Sequence, residues 1–312
     1  MGEPRERPLR LGLVTPVVSL LPGTPEWEES AGASELATIA RAADELGYEH
    51  VTCSEHVGVP RADLAVRGAR FYDPLATLSY VAALTARIKL LTHVVVLPYH
   101  HPLAIAKRYG TLDRLSGGRL VLGVGVGSLR AEFELLGADF DARGPRYEEA
   151  LVALAAALGK REPAFRGEHF SFEGFVIDPC AVQERVPIWL GGRTPRSLRR
   201  AVSLAQGWVP FGLTLEEIRA LLARARETAE WKEREERGEP LEIALAVECA
   251  DDLSSATSVA ALVDRLERTR EAGATIASLT VRARSAEHYV DQIAHIMAKA
   301  KAKAKAKASA TR

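Results

Sequence analysis

Short apolar runs of strand length alternate along this chain with stretches whose apolar residues recur every three or four positions. Leu9 to Val14 reads as a buried strand. Leu36, Ile39, Ala40, Ala43 and Leu46 then form one helical stripe, and Gly47 is placed to end that helix. Tyr48 to Ser54, Ile88 to Leu97 and Arg119 to Val126 are the next strands, with helices from Pro74 to Ala86 and Pro102 to Leu115 between them. The second half predicts strands at Pro187 to Gly191, Gly207 to Phe211, Leu241 to Cys249 and Ala277 to Val281. Helices are expected at Pro195 to Ala205, Leu215 to Arg237, Ser258 to Glu271 and Ala286 to Met297. Asp73-Pro74 and Thr194-Pro195 each set a capping side chain before a proline preformed for the first helical turn, whereas His101-Pro102 brings the proline without a favoured cap.

Repeated β-α units demand a parallel sheet, and eight of them fit a closed (β/α)8 TIM barrel, a single domain over residues 1–297. A doubly wound open sheet is the alternative. Two segments break the rhythm. Residues 61–72 form a polar loop after the second strand. Residues 160–186 alternate through Phe165, Phe170, Phe172 and Phe175, which predicts an inserted hairpin before the fifth strand. Both are expected near the substrate end of a barrel, as lids or as decoration. The tail, 298–312, alternates lysine and alanine, so a helix there has lysines on all sides; it is expected to be a frayed, solvated extension of the last helix.

Charge must be divided before it is used. The 41 basic and 41 acidic residues cancel, but six of the basic ones lie in the tail, leaving the body near −6. That excludes a nucleic-acid footprint on the body. No apolar run is long enough for a membrane span, and the charged first ten residues do not resemble a secretory signal. Cys53, Cys180 and Cys249 are too few and scattered for a disulfide framework or a metal knuckle, so a cytoplasmic address, no metal and a small-molecule substrate are the expectations.

Glycines and histidines carry the candidate chemistry. Gly123, Gly125 and Gly127 have the spacing G-x-G-x-G, not the G-x-G-x-x-G of a dinucleotide turn. On a strand end they instead remove side chains where a flat ring could lie. Gly191 and Gly192 leave a strand just before a helix start, which suits a phosphate. His56 and His93 lie at strand exits, where barrel enzymes keep catalytic groups, with Glu55 and Asp73 the acids nearest that end. The adjacent His100 and His101 diverge on a strand and make a poor zinc pair.

In order, LGLVT, AADELGYEHVTCSEH, the segment from DPLATLSYVAALTARIKLLTHVVVLPYHHPLAIAK to LVLGVGVGS, and PIWLGG followed by RRAVSLAQGW resemble the luciferase-like monooxygenase superfamily. PEWEE and LPYHHPLAIAK resemble most the branch using the deazaflavin coenzyme F420. The resemblance implies a TIM barrel with the ring at the C-terminal ends of the strands and a non-proline cis peptide at His93-Val94. It further implies His56 facing the ring, with Glu55 as its orienting neighbour, and phosphate on Gly191, Gly192 and Arg193. Ser54, Gly125, Gly127 and Ser128 complete the implied cofactor set. Ser128 stands where relatives often carry tryptophan or glutamate, and Gln206 replaces the usual aspartate before Gly207-Trp208. The expected activity is hydride transfer between F420 and a small organic molecule. The alternatives are an FMN-dependent monooxygenase using O2, and a non-catalytic cofactor-binding barrel or a scaffold whose basic tail recruits an acidic partner. A homodimer is the default assembly.

Overall fold

The computed structural model describes residues 8–249, 253 and 255–310. Eight parallel strands close into a ring: β1 (Arg10–Leu13), β2 (His50–Cys53), β3 (Lys89–Thr92), β4 (Leu120–Gly125), β5 (Ile188–Gly191), β6 (Gly207–Val209), β7 (Glu242–Glu248) and β8 (Ile276–Thr280). Each pairs with the next, and β8 returns to β1 with Arg10 opposite Ile276. The main helices outside the ring are α1 (Ala33–Leu46), α2 (Pro74–Leu84), α3 (Pro102–Leu115), α4 (Arg143–Ala157), α5 (Pro195–Leu204), α6 (Leu215–Arg226), α7 (Ala256–Glu271) and α8 (Ala286–Ala310). The fold is therefore a (β/α)8 TIM barrel, and the open-sheet alternative falls away because β4 pairs with β5 through Leu122 and Ile188.

Why the segments settle this way is mostly visible in their caps and faces. Asp73 accepts from the N–H of Ala76, and Thr194 from that of Ser197. His101 supplies a cap after all: its Nδ1 accepts from the N–H of Leu103. Gly47 ends α1 at φ 86°, a conformation that glycine adopts without strain. Inside the ring, Leu91, Val121, Trp189, Val209, Ala244 and Ile276 pack together, and the His50 imidazole fills the space beside Gly12. A Cβ at Gly12 would lie 2.3 Å from that ring.

Several expectations need correction. The long third strand stops at Thr92; after a cis peptide at His93-Val94 the chain resumes as Val95–Val96 beside β4. The single helix expected from Leu215 to Arg237 is two, because Thr228 caps a second one at Ala229–Glu236. α4 has no counterpart among the helices read from sequence. The hairpin before the fifth strand is present, with Phe165 paired to Phe172. It reaches toward the mouth end of the barrel, where the Phe170 ring lies 5.4 Å from that of His101, the cap of α3, and 4.5 Å from the Arg146 guanidinium. Residues 160–186 join the end of α4 to the start of β5, so they enter and leave at the N-terminal rim. The hairpin lies along the outside, fixed by three backbone N–H groups (Glu168, His169, Phe170) on the Glu149 carboxylate. α8 continues into the Lys/Ala segment, where Lys301 reaches the carbonyl of Leu46 and Lys303 the carboxylate of Glu267. No helix of the described residues is long and apolar enough to cross a membrane.

Candidate active site

The residues singled out from sequence gather on four neighbouring strands at one rim. Ser54, Glu55 and His56 follow β2; His93 and Val94 follow β3; Gly125 ends β4, with Gly127 and Ser128 just beyond; Gly191 ends β5, followed by Gly192 and Arg193. The backbone joins them as well, since the N–H of Glu55 donates to the carbonyl of Val94. The Val94 side chain links the far side: a Cβ on Gly125 would lie 2.6 Å from it, and one on Gly191 3.3 Å.

That contact changes the role of the glycines. Gly125 and Gly191 make room for Val94, so the floor of the mouth is the Val94 side chain and not bare backbone. Gly127, at φ 77°, gives way to two side chains: a Cβ there would lie 2.6 Å from Phe133 and 2.7 Å from Val96. Gly192, at φ 155°, lets Ser197 at the start of α5 come close. Arg193 is exposed, and its guanidinium carbon stands 5.8 Å from the centre of the Phe211 ring. Ser128 is exposed at the rim, while Ser54 is half-buried at the end of β2.

The acid that orients His56 is Glu132, not Glu55. His56 Nδ1 lies 3.0 Å from Glu132 Oε2. The same carboxylate accepts from the N–H groups of Val57 at 2.5 Å and Gly58 at 3.3 Å, and from the Tyr99 hydroxyl at 3.0 Å. Four donors saturate an ionised carboxylate. Burial alone would raise Glu132, but the hydrogen bonds from His56, Val57 and Gly58 outweigh it and hold the group below its ordinary 4.5. With Glu132 ionised, Nδ1 carries the hydrogen and Nε2 is left for chemistry at the mouth. Glu55 is committed elsewhere: it accepts from the N–H of Val96 at 2.6 Å and pairs with His100 Nε2 at 2.7 Å, so it fixes the loop that carries Val94.

His93 lies on the same side of its strand as Leu91, at the top of the packed interior, and burial lowers its basicity. Burial likewise pushes the thiols of Cys53 and Cys249 up to about 12, so neither supplies a thiolate near neutral pH.

A strap closes the β2 side. Ser19–Leu20, in the exit loop of β1, pairs antiparallel with Arg70–Phe71, in the exit loop of β2. Arg70 holds the pair down by donating to the carbonyls of Glu28, Glu29 and Ala31. Phe71 thereby lies against His56, ring centres 4.5 Å apart. Val17, at the root of this strap, has φ 75°, an unusual conformation for a β-branched residue, and its N–H is held by Glu28 Oε2 at 2.7 Å.

Glu132, Tyr99 and Phe71 were absent from the sequence-based site. Glu132 had a usable signal. Leu129, Glu132 and Phe133 share one face of the short helix Arg130–Leu135 and its approach, so a carboxylate sits among buried apolar neighbours.

A sequence model of the luciferase-like monooxygenase family matches residues 13–311. The chain belongs to that family. Among relatives it is 32% identical, over 188 residues, to the F420-dependent glucose-6-phosphate dehydrogenase of Nakamurella multipartita, an alignment covering 58% of this chain and 53% of that one. Among solved structures, monooxygenase RslO1 from Streptomyces bottropensis superposes with a TM-score of 0.70 at 22% identity, covering 93% of this chain and 98% of that one. An F420-dependent secondary alcohol dehydrogenase in complex with an F420-acetone adduct superposes with a TM-score of 0.71 at 13% identity, again over 93% and 98%. At such identities the structural likeness concerns the fold of this luciferase-like chain, which both F420-dependent enzymes and monooxygenases share.

Proposed function

We propose that this luciferase-like protein binds coenzyme F420 at its mouth and transfers a hydride between the cofactor and a small organic substrate. One observation carries the reading: Val94, wedged between Gly125 and Gly191, sets an apolar side chain at the same rim as an imidazole whose Nδ1 is tied to an ionised carboxylate. A planar ring packs against such a side chain. The phosphate end fits Gly192 and Arg193 at the positive end of α5, where Arg193 has an aromatic face beneath it and open space around it.

When bound, the deazaflavin supplies two-electron hydride chemistry at its C5. The protein's share is positioning and proton handling. His56 holds or releases a proton at Nε2, and Glu132 stabilises the imidazolium form and fixes the ring's rotation. Val57 and Gly58, bound to the same carboxylate, lock the loop that carries the histidine. Phe71 covers one edge of the imidazole and keeps water from that side. Glu55 positions Val94 through Val96 and His100.

The test is a titration of the full chain with F420 and with FMN, read by absorbance and by thermal unfolding. A ligand at about 100 times its Kd stabilises the native state by ~2.7 kcal/mol. F420 is expected to saturate and stabilise, and Arg193→Ala to weaken that binding. Absence of saturable F420 binding, with turnover by reduced FMN and O2, would replace this reading by the monooxygenase one.

A further inference from the structure

We infer that the substrate has an uncharged, apolar body, with one polar reacting group presented to His56. The inference rests on the reading above only in taking His56 as the reacting end of the mouth.

Charge around that histidine is already spent within the protein. Glu132 is saturated by four donors, Glu55 is engaged by Val96 and His100, and the Arg70 guanidinium is tied to three carbonyls. Asp73 caps α2, and Arg67 faces Asp63 at 3.8 Å. A phosphate or carboxylate on the substrate would find no cation free to receive it there except Arg61, exposed in the same loop, for which no partner is seen among the described residues.

Apolar surface, by contrast, is left open on this side. Leu21, Val57, Leu64 and Val66 are 52%, 58%, 39% and 78% exposed on the β1 and β2 exit loops. Such a concentration of uncovered aliphatic side chains beside a reactive histidine marks a binding surface. Between the two loops lies a cavity of about 330 Å³ with Leu20, Leu21, Leu64 and Ala65 on its walls and polar atoms from Thr24 and Glu29 beside them. The one charged side chain among its lining residues is Glu29, which repels anions. The strap formed by Ser19–Leu20 and Arg70–Phe71 connects this cavity to the imidazole. An apolar body lying along the strap puts its polar end at Nε2.

A matched pair of probes decides the point: 4-phenyl-2-butanone, a neutral ketone, and 4-phenylbutanoate, its anionic counterpart of similar size. Saturation-transfer NMR on the full chain, with and without F420, reads binding without turnover. The ketone is expected to bind saturably, and the anion roughly tenfold or more weakly. Leu21→Asp and Val66→Asp, both at exposed positions, should weaken ketone binding while circular dichroism and F420 affinity stay unchanged. Arg61→Gln should leave ketone binding as it is. Anion binding equal to or tighter than the ketone's, and lost in Arg61→Gln, would overturn the inference; so would ketone binding indifferent to both aspartate variants. Should F420 fail to bind while the ketone still outcompetes the anion on cofactor-free protein, the cofactor assignment falls and the substrate inference stands.

Discussion

The two rims of this barrel solve the same problem with the same device and differ in what they attach to it. At the N-terminal rim, Asp44 accepts from the N–H groups of Ala86, Arg87 and Ile88, and Asp113 from those of Val182 and Gln183. Each carboxylate settles a turn that leads into a strand. At the C-terminal rim, Glu132 and Glu55 likewise accept from backbone N–H groups, but each also grips a histidine, and Glu132 a tyrosine. The lower carboxylates hold backbone and, at Asp113, the side-chain amide of Gln183, none of which carries a proton that titrates. The upper ones couple a fixed backbone to groups that can carry protons, and that coupling is what separates a structural anchor from a candidate catalytic one.

The comparison predicts a division of effects. Glu132→Gln removes the charge behind His56, so kcat of the folded protein with saturating cofactor should fall by about two to three orders of magnitude. If activity survives, the pairing with His56 is only structural and the contrast between rims disappears. Asp44→Ala should do the opposite. It leaves three N–H groups unmet, costing about 2–3 kcal/mol in urea unfolding, with kcat of the folded fraction unchanged.

The finest cut runs along β2 itself, which has a histidine at each end. His50 is enclosed: Nε2 lies 3.0 Å from Ser278 Oγ and the ring meets Trp189 edge-on at 6.0 Å. Burial, with added repulsion from His93, Lys89 and Arg10, lowers its pKa from 6.5 to about 3. A histidine whose native value is depressed contributes stability above its unfolded value and loses it as pH falls from about 6.5 toward 3. Unfolding measured between pH 7 and 4 should therefore show declining stability, and His50→Gln should flatten that decline. Glu132, held below 4.5, follows the carboxylate pattern and gives up its contribution only under more acidic conditions, so Glu132→Gln should flatten only the stretch below about pH 4.5.

Most of the ring was legible because a buried strand writes itself as a short apolar run. β5, for example, is Ile188–Gly191 against an expected Pro187 to Gly191, and α3 has the expected ends. Where all residues are apolar, a break leaves no mark, so Val94, Val95 and Val96 hid the end of β3. α4 was missed for a related reason: Tyr147, Ala150, Leu151 and Leu154 do form a buried stripe, but Ala142 offers no capping side chain to announce its start. In the site, His56 and the rim glycines were identifiable from their place after strands. Their partners were not. Glu132 meets His56 across 76 residues of chain, and Gly125 and Gly191 serve Val94, a relationship that exists only once the ring has closed.

The fit of His50 over Gly12 has a further consequence. With the lower end of the ring stoppered by that imidazole and by Trp189, nothing reaches the mouth through the barrel's interior, so any ligand of His56 approaches from the side of the exit loops.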